Sequence, residues 1–264
     1  MFEGMAYLAL GLAAGFVAGL LGVGGGLIIV PVLAFIFAAH HFPEQSVMHL
    51  ALGTSLASII FTSIASLRAH HAHGAVNWKA WREITPGIVT GALLGSVLAA
   101  YLSVGFLKAF FVVFVFYVGT QMLLEIKPKP ARALPGRPGM FGAGNVIGAV
   151  SSLVGIGGGT LSVPFMTWCN IKLHVAIGTS AAIGLPIAVA GALGYVASGL
   201  TVSNLPPHSL GFIYLPALGA IVVGSIVTAP LGAKLAHRLP VNKLKKIFAV
   251  LLYALGVRML ISLF

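Results

Sequence analysis

Acidic residues are almost absent from this chain of 264 residues. It has four glutamates and no aspartate: Glu3, Glu44, Glu83 and Glu125. Because many hydrolases work with a pair of carboxylates, a general acid–base enzyme is not expected here. The single cysteine, Cys169, excludes an intrachain disulfide and leaves no partner for a dithiol redox pair or a cysteine zinc cage. We therefore expect no enzymatic activity and no bound cofactor.

Charged residues of both signs are scarce, at 7% of the chain, whereas 59% of the residues are hydrophobic and the mean hydropathy is +1.06. A soluble domain carries roughly 25% charged residues, so this chain could not cover a water-facing surface with polar groups. The net charge of +11 comes from basic residues in short segments between apolar runs. That pattern orients membrane helices and does not indicate a nucleic-acid partner. The sequence predicts an integral membrane protein embedded in a lipid bilayer.

Six apolar runs approach or exceed the roughly 20 residues that cross a hydrocarbon core. They are 47–67, 84–102, 106–126, 174–197, 210–233 and 247–264. The segment Met1–Leu10 has neither the basic stretch nor the small-residue cleavage site of a signal peptide, so we expect it to belong to a mature first helix.

Two further apolar regions are interrupted by glycines. Each has a long arm, a glycine-rich break and a short arm: 5–21, 22–26 and 27–39 in the first, and 140–154, 155–159 and 160–170 in the second. Short arms of about 11–13 residues cannot span a bilayer at a rise of 1.5 Å per residue. We expect half-helices there. Pro31 and Pro164 should either begin these helices or free the carbonyl four residues earlier, where a coupling cation could bind.

The two glycine-broken regions belong to an internal repeat. Three pairs of segments align: GVGGGLIIVPV (22–32) with GIGGGTLSVPF (155–165), HLALGTS (49–55) with HVAIGTS (174–180), and Gly95-Ser96 with Gly224-Ser225. The sequence therefore predicts a first transmembrane repeat at 1–126, a basic linker at 127–138 and a second repeat at 139–264.

Basic residues are distributed oppositely in the two repeats. The loop 68–82 has three and its counterpart 198–209 has none, whereas 103–108 has one and its counterpart 234–246 has five. Because cytoplasmic loops are enriched in Lys and Arg, corresponding loops are expected on opposite sides of a bacterial inner membrane, with the linker inside and both termini outside. The alternative is a pair of parallel repeats in which each broken segment crosses once. The predicted fold is an all-α polytopic transmembrane bundle of two inverted-topology repeats with glycine-broken half-helix hairpins.

The glycine-rich breaks are the strongest candidates for a functional site. Irregular backbone at membrane depth is tolerated only inside protein or beside a polar cavity, and paired breaks in inverted halves are typical of transporter sites near the midplane. The helix that follows each break presents free N–H groups, which favour an anion. The candidate substrate-binding residues are Gly24, Gly25, Gly26, Gly157, Gly158 and Gly159. Close helix packing is the alternative; it explains Gly91, Gly95, Gly142 and Gly148, but not two runs of three glycines.

Several polar residues near the breaks are further candidates. The hydroxyls of Thr54, Ser55, Thr179 and Ser180 could donate to an oxyanion, or could bond to the preceding turn or a neighbouring helix. Arg258 and its counterpart Gln121 could contact the substrate, or Arg258 could extend to the lipid headgroups. His49 and His174 are candidates for proton coupling because both precede a Gly-Thr-Ser motif.

The histidines do not form a convincing metal site. His70, His71 and His73 have no nearby acid or cysteine and are expected to be solvated loop residues, like His40 and His41. We expect no metal.

The paired breaks, the repeated Gly-Thr-Ser and the ending 229–233, Leu239-Pro240 and 247–260 resemble the sulfite exporter TauE/SafE family of bacterial inner-membrane permeases. The resemblance covers essentially the whole chain and implies transport of sulfite, sulfonates or related small organic anions, usually outward. It assigns the family's glycine motifs to Gly22, Gly24–Gly26, Gly155 and Gly157–Gly159. Thr160 departs from the apolar residue found at Leu27 and adds a hydroxyl to the site.

These observations predict a secondary transporter that exports a small anion by alternating access around a midplane site. A co-transported proton, a cation on the freed carbonyls, or no coupling ion at all would fit the sequence. The competing hypotheses are an anion channel and an importer of another small organic anion. A membrane enzyme or metal carrier would need a cluster of ligands within the spans, and the sequence has none.

Overall fold

A computed structural model describes residues 2–22, 24–124, 133–236 and 241–263. Within these residues the fold is all-α, as predicted, with ten α-helices and one pair of two-residue strands, Ser209–Leu210 and Ile213–Tyr214. The helices are α1 (Phe2–Leu21), α2 (Gly26–Ala39), α3 (Val47–Ala72), α4 (Trp78–Ala100), α5 (Val104–Leu123), α6 (Arg137–Val154), α7 (Gly159–Trp168), α8 (Leu173–Gly199), α9 (Leu215–Ala236) and α10 (Val241–Ile261). Lys127, Lys129 and Arg132 of the predicted linker lie outside the described residues.

Local sequence signals set several helix ends. The side chain of Asn77 accepts a hydrogen bond from the Ala80 N–H at the start of α4, and Ser103 accepts one from Phe106 at the start of α5. Gly155 ends α6 in the left-handed conformation, with φ of 72°, which glycine adopts readily.

Six helices of the described chain are long and apolar enough to cross a membrane: α1, α3 with its preceding turn, α4, α5, α8 and α9. Five of them match the predicted runs. The sixth does not: α1 is a candidate span, whereas α10 is not among those found in the described residues. The short arms are confirmed as helices of 14 and 10 residues, and the long arms α1 and α6 are helices of 20 and 18 residues.

The connections between helices identify two faces of the bundle. On one face the Asn77 N–H donates to Thr179 Oγ1 at 2.8 Å, which places the α3–α4 connection against the start of α8. On the other, the Tyr214 N–H donates to Thr54 Oγ1 at 2.9 Å, which places the α8–α9 connection against the start of α3. We call the first the linker face, because α6 starts there, and the second the terminal face, because α1 starts there.

Glycines bring two pairs of helices into backbone contact. A Cβ at Gly15 in α1 would lie against Ser225 of α9, and one at Gly91 in α4 would lie against the Asn145 carbonyl of α6. Later residues of each helix meet later residues of its partner, so both pairs are parallel. The packing interpretation is thus confirmed for Gly91, Gly95 and Gly148. It is wrong for Gly142, where a Cβ would meet nothing within 4 Å; the neighbouring Gly144 packs on Ile84 instead.

Helices that correspond in the repeat also pair with each other. Ser63 of α3 lies against Gly184 of α8, and Leu56 lies against Gly191, so these two helices run antiparallel. They form the centre of the bundle: 72% and 78% of their spanning windows are buried, against 33% for α9. Corresponding α5 and α10 are antiparallel as well, because the Lys108 ammonium donates to the Ser262 carbonyl at the terminal face.

Each broken region forms a hairpin. The ring of Phe37, near the end of α2, contacts Tyr214 at 5.5 Å between centroids, so α2 returns to the terminal face where α1 began. The connection after α7 likewise leads to the start of α8 at the linker face. The outer helices expose large apolar side chains such as Leu94, Val113 and Val223, as lipid-facing surfaces do.

Candidate functional site

The two glycine-rich breaks meet at the centre of the molecule. A Cβ at Gly24 would lie 2.9 Å from the Cα of Gly157, and one at Gly26 would lie against the carbonyl of Gly155. Side chains at these positions would force the two breaks apart, so glycine is required by contact between the two backbones. The structure thus brings the two candidate breaks into contact with each other.

Left-handed glycines start both short helices. Gly25 precedes α2 with φ of 80°, and Gly158 precedes α7 with φ of 76°. An L residue with a side chain pays roughly 1–2 kcal/mol in this conformation. The first N–H groups of a helix have no intrahelical partner and carry partial positive charge. Both breaks therefore present anion-attracting backbone near the point where they cross.

The two prolines lie inside the short helices. Because α2 begins at Gly26 and α7 at Gly159, Pro31 and Pro164 are not first-turn residues. The prediction that they begin their helices is wrong. The other alternative matches the geometry: each ring removes the N–H that would bond the carbonyl four residues earlier, that of Leu27 or Thr160.

Two serines tie each break to the opposite half of the chain. Ser55 Oγ donates to the Gly155 carbonyl at 2.8 Å, and Ser180 Oγ donates to the Gly22 carbonyl at 2.9 Å. Ser162 Oγ lies 3.0 Å from Ser180 Oγ and donates to it. These bonds satisfy break carbonyls that would otherwise be buried without a partner, and they connect α3 and α8 directly to the site.

Thr54 and Thr179 are fully buried and bond away from the breaks. Each accepts a hydrogen bond from the connection that leads into the next helix, Thr54 from Tyr214 and Thr179 from Asn77. The Thr179 hydroxyl also donates to the Val175 carbonyl of the preceding turn at 2.7 Å. The structure therefore brings the serines of the two Gly-Thr-Ser motifs to the breaks and places the threonines at the two faces.

A small cavity lies beside the crossing of the breaks, with room for about one water molecule. Its described lining is Ala18, Gly22, Gly24, Thr62, Ser63, Ser66, Gly157, Ser180, Ala181 and Gly184. These lining residues include no charged side chain. Donors at this site are hydroxyls and backbone amides, which suit the acceptor oxygens of an anion.

The α3 hydroxyls that follow the Gly-Thr-Ser motif were not among the predicted site residues. Ser55, Ser58, Thr62 and Ser66 recur every three or four residues, so they follow one face of the helix. That spacing is the sequence feature that could have identified this polar face. Thr62 Oγ1 is 3.0 Å from Ser225 Oγ, and Ser58 Oγ donates to the Ser55 carbonyl. Ser66 is 2% exposed, and its Oγ has no hydrogen-bond partner among the described residues.

Two other buried hydroxyls near the breaks also lack partners within the described part of the chain. They belong to Thr160, in the first turn of α7, and to Ser151, in the last turn of α6. Thr160 corresponds to Leu27 in the alignment of the two breaks, so the second break has a hydroxyl where the first has an apolar side chain.

Arg258 and Gln121 are not brought to the cavity. The Arg258 guanidinium lies 4.8 Å from the centroid of the Phe35 ring, and the side chain is exposed. Gln121 is half-buried on α5. Neither residue lines the cavity.

The two matched histidines have different surroundings. His49 is buried near the terminal face, where its Nε2 donates to the Ala99 carbonyl at 3.0 Å and its ring stacks on Phe212. Its Nδ1 has no hydrogen-bond partner among the residues described. His174 is exposed at the start of α8.

The expectation of solvated histidines at 70, 71 and 73 is partly wrong. His71 and His73 are exposed, but His70 lies in the last turn of α3, fully buried, with Nε2 donating to the Gly19 carbonyl at 3.1 Å. The α3 helix continues further than the apolar run, so this histidine joins the helix packing. Among the described residues no group of three or more His, Cys, Asp or Glu side chains could hold a metal ion.

Comparison with known proteins identifies the chain's relatives. The profile of the family described as sulfite exporter TauE/SafE matches residues 7–259. A probable membrane transporter protein of Haemophilus influenzae is 38% identical over 257 residues, covering 97% of each chain. Similar proteins of Methanocaldococcus jannaschii and Bacillus subtilis, also named probable membrane transporter proteins, are each 26% identical, covering 98% and 96% of both chains. No solved structure matches the chain.

Proposed function

This chain belongs to the sulfite exporter TauE/SafE family, and from that premise we propose that it is a secondary transporter that exports sulfite, a sulfonate or a related small anion. The observation that carries the proposal is the meeting of two glycine-rich breaks beside a buried cavity. The relatives named as probable membrane transporter proteins support transport as the activity.

The chemistry of the cavity favours an anion. Its lining combines hydroxyls with the backbone of both breaks, and a short helix begins just beyond each break. Hydroxyl and amide donors, together with the positive ends of helix dipoles, stabilise negative charge without a buried cation. Sulfite and sulfonates carry three oxygens that accept hydrogen bonds, so the donors of both breaks can be used at once.

The closed state of the cavity favours a carrier over a channel. A site that holds about one water molecule is too small for an anion with several heavy atoms, so substrate must enter as the breaks separate. Alternating access provides that separation, because movement of one half against the other opens the site to one face at a time.

We further propose that residues 1–126 and 139–264 are inverted repeats joined by a cytoplasmic linker at 127–138. Support comes from the antiparallel pairing of α3 with α8 and from the crossed serine bonds, in which the matched serine of each half donates to the matched glycine carbonyl of the other. The membrane is the bacterial inner membrane, and both termini face outward.

For coupling, we favour a proton carried by His49 over one carried by His174. His49 is buried and has one unpartnered ring nitrogen among the described residues, whereas His174 is exposed. Thr160 is proposed as an additional substrate ligand, because its buried hydroxyl is unpaired within the described residues. Arg258 and Gln121 lie outside the cavity and are not assigned to it.

Flux measurements test the proposal directly. Purified protein in proteoliposomes should transport sulfite, with competition by sulfonates and thiosulfate and little by carboxylates. A superimposed pH gradient should change the rate if a proton is co-transported. Electrical recording provides the second readout: currents far above carrier turnover would establish a channel, and absence of flux for all these anions would contradict the assigned substrate class.

A further inference from the structure

The two central helices differ in polarity at corresponding positions. Alignment of the Gly-Thr-Ser motifs places α3 on α8 without a gap. Beyond the motif, Ser58, Thr62, Ser63 and Ser66 of α3 correspond to Ile183, Ile187, Ala188 and Gly191 of α8. The two helices are therefore alike at the Gly-Thr-Ser motif but differ beyond it. There α3, which runs toward the linker face, is polar, whereas α8, which runs toward the terminal face, is apolar.

The cavity lies on the linker side of the crossing. The crossing itself is marked by Gly24, which contacts both Ile59 of α3 and Gly157. All α3 residues of the cavity come after Ile59, and α3 runs toward the linker face. Its α8 residues, Ser180 to Gly184, lie in the part of that helix nearest the same face.

The matching volume on the terminal side is filled. Leu56 lies against Gly191, and Ile187 lies against Gly158. Leu56, Ile59 and Ile187 are all 0% exposed. These three side chains form an apolar plug between the breaks and the terminal face.

Ser66 is an unsatisfied group on the open side. A buried hydroxyl without a partner costs free energy relative to one that is paired. Its neighbour Thr62 is already bonded to Ser225, and Ser58 to the Ser55 carbonyl. Ser66 is thus available to a guest with acceptor oxygens, whereas Ser58 is not.

We propose that substrate reaches the site from the linker face, along Thr62, Ser63 and Ser66 of α3, as the cavity widens on that side, with Ser66 as a ligand for an oxyanion and the apolar plug closing the terminal side. The inference rests on the proposed transport function and adds a direction of access and a ligand. In a transporter whose linker is cytoplasmic, this is the loading side of an exporter.

Thiol labelling tests the access. In a Cys169→Ala background, Ala181→Cys and Leu56→Cys place thiols at aligned positions on the cavity and plug sides. Ala133→Cys and Val202→Cys mark the linker and terminal faces. With a membrane-impermeant maleimide and vesicles of both orientations, Ala181→Cys should react only from the face that Ala133→Cys reports, and Leu56→Cys should react at least tenfold more slowly from either face. Reaction of Ala181→Cys from the Val202→Cys face, or equal reaction of the aligned pair, would overturn the inference.

Transport kinetics test whether Ser66 is a substrate ligand. Ser66→Ala should raise the KM for sulfite about tenfold, because a hydrogen bond to a charged group is lost. Thr201→Ala, at an exposed hydroxyl in the connection after α8, should leave it unchanged. Equal effects of the two variants would remove Ser66 as a ligand. Since labelling needs no substrate, a failed flux assay would contradict the proposed function and leave the access result standing.

Discussion

Neutral groups surround the centre of this bundle. The cavity residues that the structure describes are glycines, alanines, serines and a threonine, and serine hydroxyls bond the break carbonyls from the opposite half. In a low-dielectric interior, fixed dipoles hold a charge strongly without the desolvation cost of a buried ion pair. Such a site would bind the proposed anion and also release it, as a carrier requires.

Gly158 is expected to be essential for transport. An alanine there would adopt an unfavourable positive φ, and its Cβ would collide with Ile187 of the apolar plug. We expect Gly158→Ala to reduce sulfite flux at least tenfold while the protein stays monodisperse in detergent. Gly142→Ala is the matched control, because its Cβ meets nothing within 4 Å. Normal flux in Gly158→Ala would contradict the proposal that the breaks form the transport site.

Ser180 should contribute to stability as well as to the site. Ser180→Ala removes the donor to the Gly22 carbonyl and the acceptor for Ser162, so two buried polar groups lose partners. We expect a cost of about 1–3 kcal/mol, visible as a lower thermal unfolding temperature. Thr201→Ala, at an exposed hydroxyl, should change it little. Equal unfolding temperatures for the two variants would show that the crossed bond is unimportant.

At the level of elements, glycine positions in the helices decide which pairs pack closely. The length of the apolar runs and the glycine breaks predicted the short arms and five of the six candidate spans, because those features are local. The run at 5–21 was assigned to a glycine-broken hairpin, so α1 was not counted among the predicted crossings. The polar face of α3 was also missed: hydroxyls spaced at three or four residues are as common in packing as in sites, and only the cavity distinguishes the two.

Replacing glycines in the helices should have opposite effects at packed and open positions. Gly91 of α4 faces the Asn145 carbonyl of α6, so Gly91→Ala should separate these helices and lower stability. Gly219 of α9 meets nothing within 4 Å, and alanine there should raise stability by roughly 0.5–1 kcal/mol through helix propensity. Thermal unfolding in one detergent compares the two. A gain of stability in Gly91→Ala would show that α4 and α6 are not held in backbone contact.

At the scale of the whole molecule, charge separates the two faces. Described basic residues at the linker-face ends of helices are Arg68, Lys79, Arg82, Arg137, Lys172, Lys234 and Lys246, whereas Lys108 and Arg258 lie at terminal-face ends. Because Lys and Arg are retained on the cytoplasmic side during insertion, this distribution should fix the orientation. If the proposed repeats are inverted, corresponding loops of the two halves should have opposite charge bias, as the basic residues of 68–82 and of 234–246 do.

Reporter fusions can check this orientation. Alkaline phosphatase fused after Phe264 or inserted at Val202 should be active, because both positions belong to the side expected to face outward, whereas an insertion at Ala133 should be inactive. Green fluorescent protein at the same positions should give the reverse pattern, because it does not become fluorescent after unfolded export. An active phosphatase at Ala133 with inactive ones at Val202 and Phe264 would reverse the orientation, and the linker-side cavity would then be the entrance of an importer. Opposite results at Val202 and Phe264 would contradict the fold, because the end of α10 and the α8–α9 connection lie at the same face.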